Sequence, residues 1–162
     1  DIQSICKALK TLDKTFDTSQ VKTVLQWYMA SYSTSITDST SLQSAMNTNT
    51  AYEGLHHPMK ESGGGYVPDF TFRYLTEDVP TGLCFTKGVA CLLGVKTPTI
   101  DEVLRWCQSK LEKEFLTPTG TMDGKDVHLT RAPQAYGVRT KKDLIAFLGL
   151  TTKKSCFAGI CA

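Results

Sequence analysis

No stretch of this sequence approaches the roughly 20 consecutive apolar residues that a membrane-spanning helix needs, so nothing in it reads as a transmembrane segment. Neither sign of charge dominates. Lys and Arg number 18 against 16 Asp and Glu, a formal net charge of +2, too weak a field to suggest nucleic acid. The basic pairs Lys141-Lys142 and Lys153-Lys154 read as solvated surface. Nucleotide and metal signatures are missing too: there is no GxGxxG after a strand, no P-loop and no HExxH. The run Gly63-Gly64-Gly65 lacks both the spacing and the preceding strand, and reads as a flexible loop. His56 and His57 are adjacent and His128 stands alone, so structural or surface roles are expected and no metal. None of the six cysteines has CxxC spacing. In a chain of 162 residues, 41% of them hydrophobic and 21% charged, that argues against a disulfide-built secreted fold. Reduced structural cysteines in a cytoplasmic protein are expected, with Cys84, Cys91 and Cys107 inside buried helix. Cys156 and Cys161 fall in a tail, where an adventitious disulfide stays open. The chain starts at Asp1, already inside an amphipathic helix, so the lack of a signal peptide carries no weight.

What is present is helical periodicity. Ile2, Ile5, Leu9, Leu12 and Phe16 share one face of a first helix. Asp17-Thr18-Ser19 offers N-cap chemistry for a second, Gln20 to Tyr32, bearing Val21, Val24, Leu25, Tyr28 and Tyr32 with Trp27 beside them. A polar linker, Ser33–Ser41, leads to a short helix at Leu42–Met46. The glycines and prolines of Tyr52–Pro68 predict a loop. Asp69 is placed to cap a helix from Phe70 to about Glu77, which must break or kink near Asp78-Val79 because Pro80 has no N–H to donate. Pro80 then suits the first position of a helix that stops at Gly94. Thr99 and Glu102 have capping-box spacing, ahead of a stripe of Ile100, Val103, Leu104, Cys107, Leu111 and Phe115. A Gly/Thr-rich hairpin or loop (Thr117–Gly124) precedes a last helix at Thr140–Leu148. No segment sustains period-two alternation, and the fold class expected is all-α, residues 1–150 forming one helical domain and 151–162 a tail.

One segment concentrates chemistry. Arg73-Tyr74-Leu75-Thr76-Glu77-Asp78-Val79-Pro80 puts an arginine and two acids in six residues, at an expected helix break. The start of a helix exposes backbone donors and favours negative charge. On spacing alone, Asp78 reads equally as a helix cap with Arg73 as its salt-bridge partner. Trp27 carries the same two readings, core or pocket wall.

A resemblance sharpens these readings. QWY (Gln26–Tyr28), Y-x-G-L-x-H-P (Tyr52–Pro58), a glycine loop ending PDF (Pro68–Phe70), RYLTED-x-P (Arg73–Pro80), KGVA (Lys87–Ala90), GKDV (Gly124–Val127) and R-x-P-Q-x-YG (Arg131–Gly137) follow in order. From about Ser19 to Leu148 the chain resembles the opine dehydrogenase family, its octopine dehydrogenase group in particular. RYLTED-x-P is the specific piece. The resemblance implies a helical C-terminal domain of the opine dehydrogenase and 6-phosphogluconate dehydrogenase type. In such enzymes an N-terminal Rossmann domain binds NADH and the helical domain closes over the substrates. The family reductively condenses a 2-keto acid, usually pyruvate, with an amino acid: an imine forms, and hydride from the nicotinamide reduces it.

Carried onto this chain, the resemblance implies that Asp78 partners a catalytic histidine. Arg73 would reach anionic cofactor or substrate groups, and Trp27 would limit the keto-acid side chain. The family's catalytic histidine lies upstream of these residues, and His57 reads as structural. The expectation is therefore an N-terminally truncated substrate domain without its Rossmann domain, inactive alone, with small-molecule partners and neither nucleic acid nor membrane. The alternative is a short non-catalytic helical module or truncated paralogue. Burial of Ile2, Ile5, Leu9 and Leu12 within the chain would favour that module; solvent exposure would favour a missing neighbour.

Overall fold

A computed structural model describes residues 1–150; Cys156, Cys161 and the pair Lys153-Lys154 lie outside the described residues. In chain order the helices are α1 (Ile2–Leu12), α2 (Val24–Tyr32), α3 (Leu42–Asn47), α4 (Arg73–Thr76), α5 (Cys84–Leu93), α6 (Pro98–Leu111) and α7 (Lys141–Phe147). Strands β1 (Met59–Ser62) and β2 (Gly65–Pro68) pair antiparallel, with Met59 opposite Pro68 and Ser62 opposite Gly65. The molecule is helix-rich, as its periodicity predicts, and the hairpin is the exception.

The core gathers where the apolar stripes are cleanest. Ile100, Leu104 and Cys107 of α6 pack with Cys84 and Ala90 of α5, and with Ile5 of α1. Val103, in the same expected stripe, is 43% exposed. The stripe also outruns its helix: Glu112 takes a left-handed conformation, φ 54°, and α6 stops at Leu111. Phe115 still reaches the core, from the following loop. Gln108 carries it there, its side-chain oxygen accepting from the Phe115 and Leu116 N–H groups at 3.1 and 3.0 Å.

The expected Thr99/Glu102 box does not form. Pro98 is the first residue of α6 and Thr97 precedes it. The cap comes from far away in sequence: the Asp1 carboxylate accepts from the Ile100 N–H at 2.9 Å, placing negative charge at the helix's positive end. α1 thereby belongs to the core. Ile5 is buried and Leu9 packs against the cluster, while Ile2 is 45% exposed.

Two expected boundaries move. α2 begins at Val24, not Gln20, because Thr23 and Gln26 form the reciprocal capping box. Asp17 instead closes a local turn, accepting from Ser19 N–H at 2.8 Å. Within Tyr52–Pro68 the expected loop contains the hairpin. Gly63 and Gly64 have φ +59° and +82°, the pair of positive values that a two-residue hairpin turn requires. All eight strand residues are exposed, so no alternation of burial announces them.

Of the three cysteines expected in buried helix, Cys84 and Cys107 are buried and Cys91 is not fully so. Cys6 is half-buried, and all four are free. Burial, with a contribution from Cys107, pushes the Cys84 thiol up to about 12, so it stays protonated and inert. No helix of the described residues is long and apolar enough to cross a membrane.

Candidate functional site

The Arg73–Pro80 segment is fixed at both ends. At its start, His57 Nε2 donates to the Asp69 carbonyl at 3.1 Å, and the Asp69 N–H donates to the Pro58 carbonyl at 2.8 Å. His57 therefore closes the base of the hairpin, the structural role its sequence context predicts. Asp69 does not cap a helix from Phe70. Its carboxylate accepts from the Thr71 hydroxyl at 2.7 Å and the Thr71 N–H at 3.0 Å. Those two bonds hold the Asp69 carboxyl below the usual carboxylate range. The helix begins only at Arg73, after Phe72.

The expected break takes an unexpected form. α4 is four residues long and kinks at Glu77 (φ −103°, ψ −55°). The chain then stays helical through Asp78 (φ −67°, ψ −33°) into a π turn, Val79–Leu83, that runs directly into α5. The Cys84 N–H donates to the Val79 carbonyl, five residues back. Pro80 explains the widening: it offers no N–H, and its ring crowds the carbonyl four residues before it. A π turn absorbs that by adding one residue to the loop of the ladder. No separate helix N-terminus opens at Asp78, so the expected cluster of free backbone donors is not what defines the site.

The side chains are distinct in their state. Arg73 pairs with Glu77, not with Asp78: Nη2 and Nε lie 3.0 and 3.2 Å from Oε2. Both partners are mostly exposed, and an exposed i,i+4 pair is worth about 0.3–0.5 kcal/mol. A competing anion can therefore draw Arg73 away at little cost. Asp78 is exposed, and its side chain caps nothing. Neither half of the cap-and-salt-bridge reading of Asp78 survives.

Trp27 sits elsewhere. It is 52% exposed on α2, in a cluster with Tyr28, Tyr32 and Tyr52 whose ring centroids lie 5.1 to 6.4 Å apart. The Asn49 amide donates to the Tyr28 hydroxyl at 2.8 Å and ties the cluster to the end of α3. A hydrogen bond to Tyr32 and burial raise the Tyr52 hydroxyl to about 12. Trp27 is thus a surface aromatic, not a core residue, and its ring contacts run to this cluster and not to Arg73–Pro80.

Sequence reasoning missed the groups that hold the site from behind. Lys87 is buried, its ammonium 2.6 Å from Asp101 Oδ1 and 3.0 Å from Thr97 Oγ1. The Thr97 hydroxyl in turn donates to Asp101 at 3.0 Å. This triad joins α5 to the start of α6, and it occupies the hydroxyl that would otherwise have capped α6. One residue on, Gln134 donates to the Gly88 carbonyl at 2.9 Å. The Arg131 N–H donates to the Pro80 carbonyl at 2.9 Å, a direct bond to the π turn. The signal was available: a lysine within an apolar helix needs a buried partner.

Comparison with known proteins places this arrangement. Residues 1–111 match the family model for NAD/NADP octopine/nopaline dehydrogenase, alpha-helical domain. The opine dehydrogenase of Haliotis discus hannai is 45% identical over 146 residues, covering 90% of this chain and 36% of that protein. The octopine dehydrogenase of Pecten maximus is 48% identical over 124 residues, 76% of this chain and 31% of that one. The tauropine dehydrogenase of Arabella iricolor is 40% identical over 143 residues. A solved octopine dehydrogenase structure with NADH and L-arginine superposes at TM-score 0.83 and 40% identity, over 94% of this chain and 37% of that chain. The chain spans about a third of the length of these relatives. Its ordered motifs, its helical fold and these matches agree: the chain belongs to the octopine/nopaline dehydrogenase family, as α-helical domain.

Proposed function

We propose that residues 1–150 form the substrate-handling domain of an NADH-dependent opine dehydrogenase, which reductively condenses pyruvate or a similar 2-keto acid with an amino acid. The carrying observation is the state of Arg73 and Asp78: five residues apart on one helical stretch, one loosely held, the other uncommitted. Solved octopine dehydrogenase structures hold NADH with L-arginine, with agmatine and with pyruvate, which supports these substrate classes.

Asp78 would hold a catalytic histidine in one tautomer and orientation, and favour its protonated form as the substrate oxygen takes or yields a proton. That histidine is contributed from outside the described residues, as is the dinucleotide-binding domain. Arg73 fits an anionic cofactor or substrate group because an exposed guanidinium presents two parallel donors to a pyrophosphate or carboxylate. NADH, when bound, supplies the hydride. Trp27 would wall the space for the keto-acid side chain. The enzyme would work in the cytoplasm, with no nucleic-acid or membrane partner, and residues 1–162 alone would neither bind NADH detectably nor turn over.

One observation favours the other reading, a self-contained non-catalytic module: Ile5 is buried and Leu9 packs within the chain. The deciding experiment is an NADH-oxidation assay of the intact protein with pyruvate and a panel of amino acids. Turnover with at least one pair is expected; no turnover with any pair would favour the module.

A further inference from the structure

Three lysines converge on one cavity with no carboxylate paired to any of them. Lys60 of β1, Lys110 of α6 and Lys113 just beyond α6 line a space of about 530 Å³. Phe70 and the buried Phe115 supply apolar wall, and the volume is that of a small-molecule site. Glu112 is the one acid of the lining among the described residues. Within those residues none of the three ammonium groups enters an ion pair or a hydrogen bond. Lys60 acts on the Asp69 carboxyl only at a distance, adding to the lowering that the Thr71 bonds cause. Lys110 is aimed: its ammonium lies 5.6 Å from the centre of the Phe70 ring and 5.7 Å from that of Trp106. Those two rings meet edge to face at 5.5 Å. Aromatic faces hold a cation in place without cancelling its charge. A helix C-terminus also attracts cations, but that does not account for the cluster. Lys60 comes from a strand, and the Gln108 carbonyl at the end of α6 already accepts from the Glu112 and Lys113 N–H groups.

We infer that this cavity binds an organic phosphate monoester, its phosphate among Lys60, Lys110 and Lys113 and its organic part against Phe70 and Phe115. The charges match. Three lysines and one glutamate leave the lining at +2, and a phosphate monoester carries about −1.5 to −2 at pH 7. The shapes match as well. An ammonium is a compact point charge that can approach a tetrahedral phosphate from several sides, whereas a planar carboxylate is met better by a guanidinium. Thr76 and Pro80 complete one side of the lining. They belong to the stretch that carries Arg73 and Asp78, neither of which lines the cavity. A bound phosphate would therefore tie β1 to the end of α6 across the backbone of that stretch.

The probe is phenyl phosphate, titrated into the 162-residue chain and followed by amide chemical shifts. Saturable shifts are expected at residues 60, 70, 71 and 110–113. Benzoate keeps the ring but offers a planar monoanion, and inorganic phosphate keeps the dianion without the ring; both should bind more weakly. Lys60→Gln with Lys110→Gln should weaken phenyl phosphate about tenfold, as the loss of two exposed charge contacts implies. Lys141→Gln with Lys142→Gln removes the same charge from α7 and should leave binding unchanged. All four lysines are exposed, and circular dichroism should show both double variants folded. The inference is overturned if no saturable shift appears at these residues, or if benzoate binds as tightly as phenyl phosphate. It is equally overturned if the α7 pair weakens binding as much as the cavity pair, since the attraction would then be diffuse. Displacement of phenyl phosphate by NADH in the intact protein would also overturn it, by assigning the three lysines to the cofactor.

Discussion

Two stretches only a few residues apart in sequence are built in opposite ways. From Cys84 onward the polar side chains that enter the interior are tied down, though among the described residues the buried Gln134 Oε1 is left without a partner. Lys87 finds Asp101 and Thr97, Gln134 grips the Gly88 carbonyl, and Gln108 ties the loop after α6 back to its helix. From Arg73 to Asp78 the charges are exposed, one weakly paired and one uncommitted. The first region spends its polar groups on holding position. The second leaves them at the surface, on a backbone that the first region anchors through the Arg131 N–H bond to the Pro80 carbonyl.

That contrast is breakable in order of size. The largest effect should come from Gly124→Ala, where an added Cβ would collide with the backbone carbonyl of Glu114. A backbone cannot yield as a side chain can, so a loss above about 3 kcal/mol is expected, read as a collapse of the thermal transition. Lys87→Met should cost about 2–3 kcal/mol, below the full value for an uncompensated buried charge because Asp101 is 24% exposed. If chemical denaturation shows no change, the triad is not what fixes α5. Asp78→Asn in the intact enzyme inverts the pattern. Turnover should fall by roughly 10²–10⁴-fold while the melting temperature barely moves, and retained turnover would remove Asp78 from the mechanism. Arg73→Lys should raise the KM for NADH about tenfold, since the two-pronged contact is lost, again with little effect on stability.

The smallest effect belongs to the Thr140–Asp143 capping box at the start of α7. Bonds from Thr140 and then Arg139 hold the Asp143 carboxyl below its ordinary value of 3.8. A depressed carboxyl stabilises the fold fully above its unfolded pKa, and that stability is lost as pH falls through the lower folded value. The start of α7 should therefore hold down to pH 4 and loosen only in stronger acid. Asp143→Asn, followed by amide exchange at residues 141–147, should remove this acid dependence.

The sequence foretold the two regions unequally, for physical reasons. α5 and α6 were legible because burial imposes a 3.6-residue stripe, and Gly94 stops α5 in the left-handed conformation expected of it. The end of α6 was not, because Glu112 takes that conformation without being glycine. The start of α2 was missed because Asp, Ser and Thr serve turns and caps alike, and Asp17 chose the turn. The Asp1 cap on α6 spans 99 positions, beyond the reach of any local pattern. Arg73 and Asp78 were visible as a charge cluster, but not which acid the arginine would take. Trp27 was visible beside Tyr28 and Tyr32, but not the Tyr52 ring that completes the cluster, because Tyr52 arrives from beyond α3.

The π turn at Val79–Leu83 has a consequence that replacing side chains one at a time would never reveal. It is in effect one extra residue in an otherwise continuous helix. One residue of α-helix corresponds to about 100° of rotation. Removing a single residue there would let the ladder close as ordinary α-helix, and Arg73 and Asp78 would swing about a quarter turn relative to α5. Every chemical group would survive, yet the site would face a different direction. The aim of this site is thus encoded in a residue count, and a deletion, not a substitution, is the mutation that reads it.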